Sequence, residues 1–266
     1  MRAKKRFSQN FLIDMPTAAR IVGGLDIQEG DTIFEVGAGR GILTEMIGTT
    51  GARLIAFEID RDLVRYLESM LRTSNNIRMV QGDFLKIKPS DYHDGIFKLV
   101  GNVPFDITSP LIDWVVKYHG RIVRAVLTVQ EEPADRLAAK PGSKAWAPIS
   151  IFTQCFFDIE KAMTIPAEAF RPRPRVSAAT LVLRPREPYV IDNWSWFERV
   201  VRQAFKYRRK LLVNNLAGLP GLDKVAAGRI LEGLGFDRLI RAENICIADY
   251  IRLANRIESA DINETN

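Results

Sequence analysis

Apolar positions in the first part of the chain fall in short runs. Thr32-Ile33-Phe34-Glu35-Val36, Leu54-Ile55-Ala56-Phe57, Ile77-Arg78-Met79-Val80-Gln81 and the group Ile96, Phe97, Leu99, Val100 each have the length of a buried strand. Ile42 to Ile47, between the first two runs, has helical periodicity instead. Strands alternating with helices predict an α/β fold of the Rossmann-like, doubly wound kind. Further on, Phe197, Val201, Ala204, Phe205, Leu212 and Leu216 predict one helix over 196–216 with a single buried stripe. Shorter helices follow around 224–234 and 247–257. The intervening Arg184-Pro185-Arg186-Glu187-Pro188 reads as a linker, so the expected division is a larger α/β domain, 1–186, and a small helical one, 187–266.

What ends each strand carries the chemistry. The first run leads into Gly37-Ala38-Gly39-Arg40-Gly41, a glycine turn before a helix, whose G-x-G-x-G spacing is shorter than the dinucleotide fingerprint and so disfavours a pyrophosphate ligand. The second ends at Glu58, 21 residues after Gly37, where a doubly wound fold commonly places an acid on ribose hydroxyls. Asp60 and Asp62 read as acids at a helix N-terminus. The third ends at Gly82-Asp83, and Asp83 is either a turn residue or an acceptor for an adenine amine.

The fourth ends at Asn102-Val103-Pro104-Phe105. The exocyclic amine of adenine is a poor nucleophile because its lone pair is delocalised into the ring. If the Asn102 side-chain oxygen and the Val103 or Pro104 carbonyl accept its two N–H bonds, the lone pair is localised, while Pro104 offers no competing donor. Phe105 supplies a face on which a flat base can stack. Four residues of this kind also make an ordinary strand-to-loop turn; the agreement of four successive strand ends is what favours methyl transfer to a nucleobase.

Composition narrows the class. The chain has 266 residues, 47% hydrophobic and 26% charged, which is globular. Its apolar runs are too short to span a bilayer. The basic start lacks a signal-peptide apolar region, which points to the cytoplasm, a mitochondrial presequence being the other reading. Cys155 and Cys246 are expected as reduced, buried thiols. His93 and His119 have no metal-ligand spacing around them, so no metal is expected and a zinc deaminase or Ser-His-Asp hydrolase is disfavoured. The net charge of +6 is uneven: Arg171 to Lys210 carries eleven basic residues against three acids, leaving the remainder near −2. Such a stripe is either a solvated helix face or a grip on a phosphate backbone. Lys4, Lys5 and Arg6 before Phe7 and Phe11 form either a lid or a tail.

With these residues in place the sequence resembles the ribosomal RNA adenine N6-dimethyltransferase family, of the KsgA type, over nearly its whole length. The carriers are Ser8-Gln9-Asn10-Phe11-Leu12, Glu35 to Gly41, Glu58-Ile59-Asp60, Gly82-Asp83, Asn102 to Phe105, Phe170-Arg171-Pro172-Arg173-Pro174-Arg175-Val176, Arg208-Arg209-Lys210 and Arg241-Ala242-Glu243-Asn244. The resemblance implies S-adenosylmethionine as methyl donor, held by Asn10, Leu12, Gly37, Glu58, Asp83 and Asn102. It implies two adjacent adenosines near the 3′ end of small-subunit rRNA as targets, in the immature subunit, with the basic segment as RNA contact and a monomer as the working form. Phe170 would be a second stacking face opposite Phe105, or else a core aromatic before a proline-rich turn. Two departures stand out. Val103 and Phe105 replace the usual Leu and Tyr, and Trp146-Ala147-Pro148-Ile149 replaces the usual Tyr-Gly-Arg-Leu, which puts RNA contacts near that loop in doubt. The rival readings are a large-subunit adenine methyltransferase of the antibiotic-resistance type and a non-enzymatic rRNA-binding assembly factor.

Overall fold

The computed structural model describes residues 9–264, so Lys4, Lys5, Arg6, Phe7 and Ser8 lie outside the described residues. The elements in chain order are β1 (Phe11–Leu12), α1 (Met15–Gly24), β2 (Thr32–Val36), α2 (Ile42–Gly48), β3 (Arg53–Glu58), α3 (Arg61–Met70), β4 (Ile77–Gln81), β5 (Phe97–Asn102), α4 (Thr108–Lys117), β6 (Ile122–Gln130), α5 (Glu131–Leu137), α6 (Pro148–Gln154), β7 (Phe157–Ile165), β8 (Phe170–Arg171), β9 (Ala178–Pro185), α7 (Trp194–Ala204), α8 (Leu212–Leu216), α9 (Lys224–Gly233) and α10 (Ile247–Glu264). Among the described residues no helix is long and apolar enough to cross a membrane.

Contacts divide the chain into two units. The first takes the described residues up to Ala138 together with Phe157–Arg186; the second takes Ala139–Phe156 and the chain from Glu187 on. The expected linear division at 186 therefore omits one excursion. Residues 139–156 group with the helical unit because Trp146, Ile151, Phe152 and Cys155 are buried in its core. The Trp146 indole N–H also donates to the Ile245 carbonyl at 3.0 Å. The departure at 146–149 is thus anchored in a hydrophobic core.

The first unit holds a seven-stranded sheet in the order β4-β3-β2-β5-β6-β9-β7. β4 through β6 are parallel; β9 and β7 run antiparallel at the other side. The central runs are apolar because parallel strands covered by helices are buried on both faces. Phe34 and Phe97 stack with centroids 4.2 Å apart, and Phe57 tilts against Phe34. The chain moves outward from β2 through β3 to β4, then returns to start β5 on the other side of β2. That reversal opens a crevice beyond the carboxyl ends of β2 and β5, where α/β sheets bind ligands. A Cβ on Gly101 would lie 2.9 Å from the Val36 carbonyl oxygen, so only glycine lets β5 close on β2 here. Asp14 and Asp60 cap α1 and α3, accepting from the Thr17 and Asp62 amides, so Asp60 takes the helix-terminus role.

In the second unit the single helix expected over 196–216 is two. α7 stops at Ala204 and α8 begins at Leu212. Asn215, almost wholly buried, accounts for the break: its side-chain nitrogen donates to the Ala204 carbonyl at 2.7 Å and to that of Tyr207 at 3.1 Å. Carbonyls left open at the end of α7 are satisfied this way. The loop between the helices carries Lys206 to Lys210, all exposed.

Candidate active site

A cavity of about 370 Å³ opens at the carboxyl ends of β2, β3, β4 and β5. Asn10, Leu12, Gly37, Glu58, Asp83, Asn102, Val103 and Pro104 all line it, so eight of the residues singled out in the sequence meet at one place. Phe105 begins a short turn, Phe105–Ile107; its side chain lies outside the described residues. Phe170 is not part of the wall. It is 2% exposed and sits in the hydrophobic core, because β8 pairs with β1 and sets Leu12 opposite Phe170. Its position is that of the core aromatic the sequence also allowed.

The turn after β2 is held from within. Gly37, Gly39 and Gly41 all have positive φ, from +59° to +89°, a region glycine enters without strain. The Gly37 and Ala38 amides donate to the Phe57 carbonyl at 2.9 and 3.1 Å, and the Gly39 amide donates to Glu58 Oε2 at 2.9 Å. Glu58 Oε1 accepts from the Asp60 amide at 2.8 Å. Glu58 thereby ties the glycine turn to the end of β3 while lining the cavity. Burial pushes its carboxyl above the usual range, and the two amides oppose that shift. Asp83 accepts from the Leu85 amide at 3.1 Å, the turn role that the sequence left open, and still lines the cavity.

Glu35 stands in the sequence as a strand residue and as the start of the glycine-turn motif, with no site role of its own. It is 1% exposed, lines the cavity, and accepts from the Thr44 hydroxyl at 2.7 Å. Burial raises its pKa to about 7, against the Thr44 hydrogen bond and with a further push from Glu58. An acid inside the apolar run Thr32 to Val36 was the available signal. Ile59, Phe84 and Ile107 add apolar wall.

These features fit S-adenosylmethionine and do not fit a pyrophosphate. The glycine-turn amides already donate inward, and four acidic residues, Glu35, Glu58, Asp83 and Asp106, line the space against one arginine, Arg40, so an anion meets few free donors. A cationic ligand meets the reverse. A Cβ on Gly37 would have nothing within 4 Å, so that stretch of wall is open for a ligand to lie against backbone.

The Asn102 turn is built differently. The Val103 amide donates to the Thr128 carbonyl at 2.9 Å, and the Ile107 amide donates to that of Pro104 at 3.1 Å. Asn102 Nδ2 donates to the Asn10 carbonyl at 3.0 Å, which turns the amide oxygen into the end that can accept from a ligand. Of the two backbone acceptors considered, Pro104 already holds one hydrogen bond, leaving Val103 the better placed.

The same architecture and sequence recur in known proteins. The Plasmodium falciparum dimethyladenosine transferase superposes with a TM-score of 0.82 over 94% of this chain and 98% of its own, at 22% identity, which speaks to the fold. The 23S rRNA methyltransferase ErmE gives 0.74 over 94% and 100%, at 26% identity. A Lactobacillus johnsonii protein named ribosomal RNA small subunit methyltransferase A is 35% identical over 97% of this chain and 92% of its own. One of the same name from Pseudomonas putida is 37% identical over 96% and 95%. The model of the family described as ribosomal RNA adenine dimethylase matches residues 1–259, and with relatives this similar over more than nine-tenths of their lengths, the chain belongs to that family.

Proposed function

We propose that this protein transfers methyl groups from S-adenosylmethionine to N6 of two adjacent adenosines near the 3′ end of small-subunit rRNA, acting as a cytoplasmic monomer on the immature subunit. The observation that carries the reading is the meeting of Asn102, Val103 and Pro104 with Gly37, Glu58 and Asp83 in one cavity, the Asn102 nitrogen committed to Asn10.

S-adenosylmethionine, when bound, supplies a methyl group on a sulfonium, held by Asn10, Leu12, Gly37, Glu58 and Asp83. The remaining work belongs to the chain. The Asn102 oxygen and the Val103 carbonyl accept the two N–H bonds of the adenine amine, which localises its lone pair. Phe105 offers the stacking face. No side chain is needed as base, because the amine becomes more acidic as it is methylated and its proton leaves to water. Rate comes from orientation and from hydrogen bonds that strengthen as charge develops.

The basic segment narrows as an RNA contact. Arg173, Arg184, Arg186 and Arg202 pair with Glu168, Glu160, Asp158 and Glu198. Lys206 to Lys210 form an exposed cluster in which the Lys206 and Lys210 ammonium groups lie 5.7 and 4.4 Å from the Tyr207 ring centroid. Clustered cations beside an exposed aromatic suit a phosphate backbone with unpaired bases.

The test incubates the protein with labelled S-adenosylmethionine and, separately, unmethylated small subunits, large-subunit RNA and free adenosine, then identifies the labelled nucleosides. Dimethyladenosine in the small subunit alone is the expected result. Label in the large-subunit RNA would transfer the reading to the resistance-type enzymes, and no label in any sample would overturn it.

A further inference from the structure

A carboxamide is nearly symmetric in shape, so half a turn about its last bond would present Asn102 with its amino group toward the substrate and repel the adenine amine. Something must select the accepting orientation. The Asn10 carbonyl does so, because a carbonyl oxygen can only accept and therefore requires the Asn102 nitrogen to face it. Asn10 lies 92 residues earlier in the chain. Three contacts hold the segment that carries it. Leu12 and Phe11 pair with Phe170 and Arg171 of β8. The Ile13 amide donates to the Ala169 carbonyl at 2.8 Å. The Phe11 ring lies against Gly39, where a Cβ would come within 3.2 Å of it, and carries the Arg40 guanidinium 4.7 Å from its centroid. One strap thus touches the glycine turn, β8 and Asn102.

We propose that the strap Asn10–Ile13 is a positioning element for the reaction: seated by β8, it presents the Asn10 carbonyl that fixes the Asn102 amide as an acceptor toward the substrate amine. The proposal rests on the adenine-N6 reading above and assigns Phe170 a place in it, as the seat of the strap opposite Leu12.

Ile13 provides the test, since its side chain is half exposed and does not line the cavity, while its amide holds the strap. Ile13→Pro removes that donor; Ile13→Ala, the conservative variant, keeps it. Three quantities are measured on the full-length protein: the single-turnover methylation rate at saturating S-adenosylmethionine and RNA, the calorimetric Kd for S-adenosylhomocysteine, and solvent exchange of the Asn102 side-chain amide in protein labelled with 15N-asparagine, assigned by its loss in Asn102→Ala. In Ile13→Pro the rate at saturating S-adenosylmethionine is expected to fall about tenfold or more, and by clearly more than the Kd rises, because Asn10 and Leu12 of the same strap also line the cofactor side. The Asn102 amide is expected to lose its protection in the same variant, and Ile13→Ala to restore all three quantities. An unchanged rate in Ile13→Pro overturns the proposal, as does a fall in rate matched by an equal loss of S-adenosylhomocysteine affinity. A fast-exchanging Asn102 amide in the folded wild-type protein overturns it even if Ile13→Pro does not fold. If wild type methylates no adenine yet shows the protected amide and its loss in Ile13→Pro, the functional reading fails and the strap geometry stands.

Discussion

The turns that follow β2 and β5 sit on neighbouring strands, with Val36 opposite Gly101, yet they are held by different means. The glycine turn is fixed by its immediate surroundings: the amides of Gly37, Ala38 and Gly39 donate to the end of β3, and that of Gly41 to Ala38. The Asn102 turn depends on Asn10, which arrives from far away in the chain. The wall from Gly37 to Glu58 is therefore set by adjacent backbone, while the strap orients Asn102 on the substrate side and adds Asn10 and Leu12 to the wall. Hydrogen bonds within a packed sheet are difficult to disturb singly, whereas a two-residue strand such as β1 is held by few bonds and is easier to perturb.

Breaking the substrate side should cost most. Asn102→Ala is expected to lower single-turnover methylation about 10²–10³-fold, the range for removing one aimed hydrogen-bonding group, with thermal unfolding unchanged. Wild-type turnover in that variant would refute the role of Asn102.

The cofactor side is expected to answer through pH. Glu35 has a pKa of about 7 in the fold against 4.5 in the open chain, so the folded protein holds its proton more tightly. Stability contributed by the neutral group is complete below pH 4.5 and is lost as pH rises through 7. Glu35→Gln, which can still accept from Thr44, should raise stability by on the order of 3 kcal/mol at pH 8 and by nothing at pH 4, read from urea unfolding at the two pH values. A pH-independent difference would count against the buried, protonated carboxyl.

Gly101→Ala strikes the strand pair that both turns share. Its Cβ would meet the Val36 carbonyl at 2.9 Å, and a destabilisation of about 1–3 kcal/mol is expected from denaturant titration. The smallest effect belongs to the second unit. Lys206→Ala with Lys210→Ala should reduce the salt slope of RNA affinity by about 1 to 2 and leave S-adenosylhomocysteine binding unchanged. An unaltered slope would remove the exposed loop from the RNA contact.

How far the site was legible depended on where each signal lay. Gly37, Glu58, Asp83 and Asn102 were visible because a strand's end is marked by the switch from an apolar run to turn residues, and such ends converge in any doubly wound sheet. Glu35 was missed because an acid within a strand gives no local sign of which space it faces. Phe170, for which the sequence left a stacking face and a core aromatic open, lies buried opposite Leu12, a position set by the pairing of β8 with β1. The long helix expected over 196–216 broke because Asn215 reaches back to Ala204 and Tyr207, a choice between bonding to neighbours and to distant carbonyls that periodicity does not record. Residues 139–156 went to the helical unit for a similar reason, through Trp146.

The sequence by itself determined the first four buried strands, the helix after the glycine turn, the α/β class and the residues at those strand ends, because side-chain period and turn chemistry are local properties of the chain. It also carried the family, in motifs spread from Ser8 to Asn244. The tertiary structure decided what those residues face. It turned the Asn102 amide by way of Asn10, gave both oxygens of Glu58 backbone amides, and raised Glu35 by burial. Orientation and ionisation depend on which distant groups come within a few ångströms, and that is fixed only when the chain has closed on itself.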